Sequence, residues 1–146
     1  MIQESLDFGA VQTSRPISQV LKDVDSRQEA ILVKVLSTFD YTPTTQRASS
    51  PASKWRMISA LQKAVRRGNV QAAVKFAVAS NALDPLYCYY RMSVIAIEDI
   101  GSANPDLAVL FIWASRNKAV RDKLGAEKVV AYFATEMAKS VKDRNA

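Results

Sequence analysis

Three observations on this sequence predict an all-α fold. Apolar residues recur at spacings of three and four over long stretches, as on one face of a helix. No stretch alternates apolar and polar residues as a half-buried strand does. The breaks between the periodic stretches carry residues that start and stop helices. Together they point to a compact module of about five helices, preceded by an N-terminal helical arm.

Residues 1–15 show no sustained periodicity and read as an extended or mobile start. From Pro16 onward, Ile17, Val20, Leu21, Val24, Gln28, Ile31, Val35 and Phe39 follow the helical spacing, with only Gln28 polar. The polar segment "DVDSRQE" inside this run predicts two helices, a short one and a longer one. Residues 40–53, "DYTPTTQRASSPAS", are rich in Ser, Thr and Pro and read as a linker. This places a boundary between an arm of residues 1–53 and a module of residues 54–146.

The module is clearly punctuated. Ser53 is positioned to cap "KWRMISALQKAVRR", which stops at Gly68, and Asn69 to cap "VQAAVKFAVASNAL". Asp84 with Pro85 starts a third helix that ends at Gly101. Asn104 with Pro105 starts a fourth, running through "WASRNKAVRDKL" to Gly125, and "AEKVVAYFATEMAKSV" forms the fifth. The Asp-Pro and Asn-Pro pairs have a mechanism: the side-chain oxygen accepts an orphaned amide, and proline has no amide to leave unpaired. Glycine just past a helix end relieves the left-handed conformation there.

Composition narrows the chemistry. The chain has 146 residues, 49% hydrophobic and 23% charged, with one cysteine and no histidine. The absence of histidine removes the commonest general base and the commonest zinc ligand. Cys88 has no disulfide partner, which fits a reducing cytoplasm, and its place between Tyr87 and Tyr89 marks it as a small buried hydrophobe. The four glycines form neither GxxxxGK[ST] nor GxGxxG, so no phosphate-binding loop is present. No apolar run reaches the roughly 20 residues of a membrane span. The expectation is a cytoplasmic, non-enzymatic protein without cofactor or metal.

Glu98 and Asp99 are the one conspicuous acidic pair. Sequence neighbours on a helix project about 100° apart, so the two cannot act as a facing acid/base pair. Both fall in the last turn of the third helix, where the dipole disfavours negative charge. They are therefore expected to be compensated by cations, with Arg91 or basic residues of other helices as partners, and Glu98→Gln is expected to cost stability or assembly.

Charge is uneven: residues 1–53 carry a net −1 and residues 54–146 a net +7. The cations gather at Lys54, Arg56, Lys63, Arg66 and Arg67, and again at Arg116, Lys118, Arg121 and Lys123. They suit phosphate contact without sequence preference, or simply a solvated face. Trp55, between Lys54 and Arg56, is either a core residue or a ring available for stacking. The apolar residues Leu86, Tyr90, Val94 and Ile97, with Phe111 and Trp113, are expected to divide between core and interface.

Three blocks carry a family resemblance. "ISALQKAVRRGNVQAAVKFAV" (58–78), "DPLYCYYRMSVIAIEDIGSANPDLAV" (84–109) and "VVAYFATEMAKS" (129–140) stand in order and spacing. They resemble the C-terminal region of the MgsA/RarA family, AAA+ ATPases related to clamp loaders that include the Werner-helicase-interacting protein. The most distinctive part is Asp84-Pro85-Leu-Tyr, followed by Arg91, Glu98-Asp99-Ile-Gly101 and Pro105. The resemblance implies a collar-like helical domain that drives self-association. It also implies action at replication forks, near single-stranded-DNA-binding protein and a RarA-type ATPase, with DNA as a second kind of partner. The family's ATPase motifs are absent from these residues, so ATP hydrolysis is not implied. A detached copy of such a module is the sort of gene a phage or mobile element encodes.

Overall fold

The computed structural model describes residues 15–43 and 53–143. They form seven α-helices: α1 (Ile17–Thr38), α2 (Lys54–Arg67), α3 (Val70–Leu83), α4 (Pro85–Ile95), α5 (Pro105–Ser115), α6 (Lys118–Leu124) and α7 (Ala126–Lys139). A π-turn (Ala96–Ile100) and a 3₁₀ turn (Gly101–Ala103) join α4 to α5. No strand occurs among the described residues, and none of their helices is long and apolar enough to cross a membrane. The expected starts at residues 1–14 and the Ser/Pro stretch at 44–52 lie outside the described residues.

The caps follow the local chemistry. Asn69 Oδ1 accepts the amide of Ala72 at 3.1 Å, Asp84 Oδ1 that of Tyr87 at 3.1 Å, and Asn104 Oδ1 that of Leu107 at 3.3 Å. Gly68 closes α2 at φ 70°, and a Cβ there would stand 3.4 Å from the Ala138 carbonyl oxygen of α7. This position therefore favours glycine for its left-handed backbone, while a Cβ would only just fit against α7. Ser53 departs from expectation: its side chain makes no cap hydrogen bond to α2. Its ψ of 3° keeps it out of the extended conformation that aims a capping oxygen at the first amides.

Two helix boundaries differ from the sequence expectation. The segment read as two helices before residue 40 is the single 22-residue α1. Its polar middle contains neither Pro nor Gly, and its polar groups dock rather than interrupt. Asp25 accepts a hydrogen bond from the Trp113 indole at 2.9 Å, and Glu29 lies 3.6 Å from Lys123. Conversely, the expected single fourth helix breaks at Arg116–Asn117 into α5 and α6, giving six helices after Ser53 rather than five. The Asn117 side chain donates to the Trp113 carbonyl at 2.7 Å, and Arg121 donates to the carbonyls of Ala114 and Ser115 at 3.0 and 2.8 Å. These bonds satisfy carbonyls that a helix end leaves open.

The antiparallel pair α2–α3 packs broadly, and α3 is held between α2 and α7. The core runs through Leu61, Val65, Met92, Ile95, Phe111, Phe133 and Met137. Leu32 and Leu36 of α1 belong to the same core, whereas Ile17, Val20, Leu21, Val24 and Ile31 of the expected apolar face are exposed, so α1 touches the rest of the fold along only part of its length. Aromatic rings link the layers: Tyr89 stacks on Phe111 at 5.8 Å, Phe111 meets Phe133 edge-on at 4.9 Å, and Phe133 meets Tyr132 at 5.2 Å. Phe39, just past α1, packs edge-on to Tyr132 at 5.4 Å, and Tyr41 donates a 2.6 Å hydrogen bond to Glu127. Edge-to-face and offset rings at these separations add to the burial of their area.

Candidate nucleic-acid and self-association surfaces

The acidic pair resolves into two unlike residues. Asp99 is 1% exposed, with Oδ1 accepting from Arg66 Nε at 2.8 Å and Oδ2 from the Gln62 amide at 3.0 Å. Both donors lie on the same side of α2. The π-turn supplies the geometry: the Gly101 amide reaches back to the Ala96 carbonyl, an added residue that widens the turn. Glu98, next to it, is exposed. The expected inter-helix compensation is therefore real for Asp99, but its cation is Arg66. Arg91 takes no part in it, and its buried Nε has no hydrogen-bond acceptor among the described residues. The Asp99 carbonyl also accepts the Asp143 amide at 2.8 Å, tying the segment after α7 to this corner. Lys142 lies close enough to feel the Asp99 carboxylate. Burial pushes its ammonium below the ordinary range, and the carboxylate opposes that shift.

The corner itself turns at Gly101, whose φ of 44° and ψ of −125° suit only a residue without Cβ. Asp84, Pro85 and Pro105 stand where the sequence places them, at helix starts. The Asp84 carboxyl is held below its ordinary value, first by the Tyr87 amide and then by Lys54. Cys88 is fully buried, and burial pushes its thiol up to about 12, so it is a thiol and not a nucleophile at neutral pH.

The two basic clusters fare differently. Of the residue 116–123 group, Arg121 is only 7% exposed. Besides closing α5, its guanidinium lies over the Tyr89 ring at 4.1 Å. That corrects its reading as a solvent-facing phosphate contact: it is a buried cap. Lys118 pairs with Asp122 at 2.7 Å, Lys123 faces Glu29, and Arg116 remains exposed. This cluster is therefore largely occupied within the fold: the Lys118–Asp122 pair is local, whereas Glu29 and Tyr89 are distant along the chain and their contacts are not legible in it.

In the first cluster Lys54 pairs with Asp84 at 3.1 Å and sits between the Trp55 and Tyr87 rings, at 5.1 and 5.2 Å. Arg66 is committed to Asp99. Arg56, Lys63 and Arg67 are exposed along one line of α2, and Lys75 is exposed on α3. No Asp or Glu occurs between Asp40 and Asp84, while seven Lys or Arg do. Trp55 is 59% exposed, so of its two expected roles the core one is excluded. It forms a shallow depression with Arg56, Ser59, Ala60 and Lys63.

The second surface is apolar. Leu86 is 84% exposed, Tyr90 63% and Ile97 58%, with half-buried Val94 between them. They line a groove of about 410 Å³ whose far wall is Ile112, Ser115 and Arg116. Phe111 is instead fully buried, and Trp113 is half-buried with its indole bonded to Asp25. Isolated exposed apolar side chains are ordinary, but a contiguous row of them marks an interaction surface. The wall from α5 was not anticipated, although Ile112 and Arg116 share a face by their spacing of four.

Comparison with protein-family models and with curated proteins finds no match to this chain. What the molecule shows is a small all-helical domain.

Proposed function

We propose that this chain is a non-enzymatic helical adaptor in DNA replication, recombination or repair that self-associates through the face of α4. The observation that carries the proposal is the row Leu86, Tyr90, Val94 and Ile97, exposed beside a groove. That row lies inside the block, residues 84–109, that resembles the MgsA/RarA C-terminal region. The resemblance supports a collar-like role, either as a clamp-loader-like subunit or in mixed oligomers that modulate a RarA-type ATPase. The lack of histidine and of any phosphate-binding loop supports the non-enzymatic reading. Co-elution tests it. The chain and a RarA-type ATPase should elute together, and Leu86→Asp with Tyr90→Glu should separate them. Separate elution of the unaltered pair would sink the mixed-oligomer form of the proposal.

A second reading is direct, sequence-nonspecific DNA binding. It is favoured by the exposed cations Arg56, Lys63, Arg67 and Lys75 on a helix pair that carries no acid. Arg66→Glu is a poor probe, because it would strike the buried Asp99. Arg56→Glu with Lys63→Glu leaves the fold's ion pairs intact. It should abolish a DNA mobility shift at about 50 mM salt, where phosphate contacts are strong.

A further inference from the structure

We infer that the exposed face of α2 centred on Trp55 is a stacking platform for single-stranded nucleic acid. The inference rests on the second reading above, since it needs the cations to meet phosphates, and it adds the form of nucleic acid that fits.

Tryptophan is among the costlier side chains to leave in water, and residues 54–67 bury Met57, Ile58, Leu61, Ala64 and Val65 against the core. Trp55 stands away from that face at 59% exposure. The Lys54 ammonium lies 5.1 Å from its ring centre, so the indole is partly clamped by a cation, which limits the entropy it loses on binding a planar partner. Beside it, Arg56, Lys63 and Arg67 fall within about 40° of one another around the helix axis and span about 16 Å along it. None of these three forms an ion pair among the described residues. The depression between Trp55 and Lys63 is floored by Ser59 and Ala60, small residues that let a flat group approach the helix.

An aromatic ring flanked by cations is the arrangement by which proteins hold an unpaired strand: bases stack on the ring, and the cations follow the backbone. A duplex presents its phosphates but no free base face, so it can use the cations and not the indole. A protein partner can use the indole as an anchor, but the absence of acid from residue 41 to residue 83 selects a polyanion.

The test is fluorescence anisotropy on labelled oligo(dT), oligo(rU) and a duplex of equal length, with the full chain and its variants. Both single strands should bind at least about 10-fold tighter than the duplex. Trp55→Ala should weaken single-strand binding about 10-fold or more, the loss of one stacked base, and leave duplex binding unchanged. Trp55→Phe should restore most of it, because phenylalanine also stacks. Three phosphate contacts give a log–log salt slope of about −2 for the single strands. Unchanged circular dichroism and thermal midpoint in the variants show that the fold is retained. Equal affinity for duplex and single strand with no effect of Trp55→Ala overturns the inference while leaving the basic-face reading intact. No binding to any of the three at low salt overturns both. Loss of a purified protein partner in Trp55→Ala, with nucleic-acid binding unaffected, also overturns it and makes Trp55 a protein anchor.

Discussion

Asp99 and Glu98 are adjacent in the chain, yet the first is buried and the second exposed. Asp99 is closed off with Arg66 and Gln62, so removing its carboxylate strands a guanidinium on a largely covered surface. Asp99→Ala should lower the unfolding free energy by about 2–4 kcal/mol. Glu98→Gln should stay within about 0.5 kcal/mol, reversing the expectation from sequence. Urea unfolding of the two variants decides, and equal losses would contradict the division of roles. Arg121 repeats the lesson, since its charge looked available and instead closes α5. Arg121→Ala should cost about 2 kcal/mol or more, because the Ser115 carbonyl loses its donor, the Ala114 carbonyl is left with the Asn117 amide, and the contact with the Tyr89 ring is lost. Asp84 gives the pH dependence. Its folded value lies below the ordinary one near 3.8, so its stabilisation is present above that value and is lost as pH falls through the folded value. The stability difference between the unaltered chain and Asp84→Asn, which keeps a capping oxygen, should be constant from about pH 5 upward and shrink below about pH 4. A difference that grows on acidification would contradict the sign.

At the scale of elements, what was legible in the sequence was what short-range chemistry decides. Asn69, Asp84 and Asn104 cap because a side-chain oxygen three residues before an amide is a local arrangement. The continuity of α1 and the break between α5 and α6 were not legible. Trp113 recruits Asp25 from 88 positions away, a partner that no window of a dozen residues contains, and the break after Ser115 turns on Arg121, a nearby arginine that reads in the sequence like any solvated cation. The arm helix α1 meets the module mainly through Leu32 and Leu36. Each is almost fully buried, so Leu32→Ala should cost about 2–5 kcal/mol, as for any core leucine. A cost below about 1 kcal/mol in thermal unfolding would mean that α1 packs only loosely on the rest. The candidate surfaces divide in the same way. The row Leu86, Tyr90, Val94 and Ile97 was legible because its members recur at spacings of three and four, running from α4 into the π-turn, whereas Lys123 and Arg121 meet Glu29 of α1 and Tyr89 of α4.

Over the whole molecule, a ladder of rings from Tyr89 through Phe111, Phe133 and Tyr132 to Phe39 joins α4, α5, α7 and the end of α1. Such a frame holds the helices it joins in fixed relation, while the basic face of α2 and the apolar row beginning on α4 stay exposed. Exposed leucine, tyrosine and isoleucine in one row are costly in a monomer, and the proposal assigns that cost to assembly. Light scattering on the purified chain across rising concentration up to the high micromolar range tests this most directly. The mass should rise to a multiple of 16.1 kDa, and Leu86→Asp with Tyr90→Glu should return it to the monomer without loss of helicity. A chain that stays at 16.1 kDa throughout, with the variant indistinguishable from it, would contradict self-association through α4.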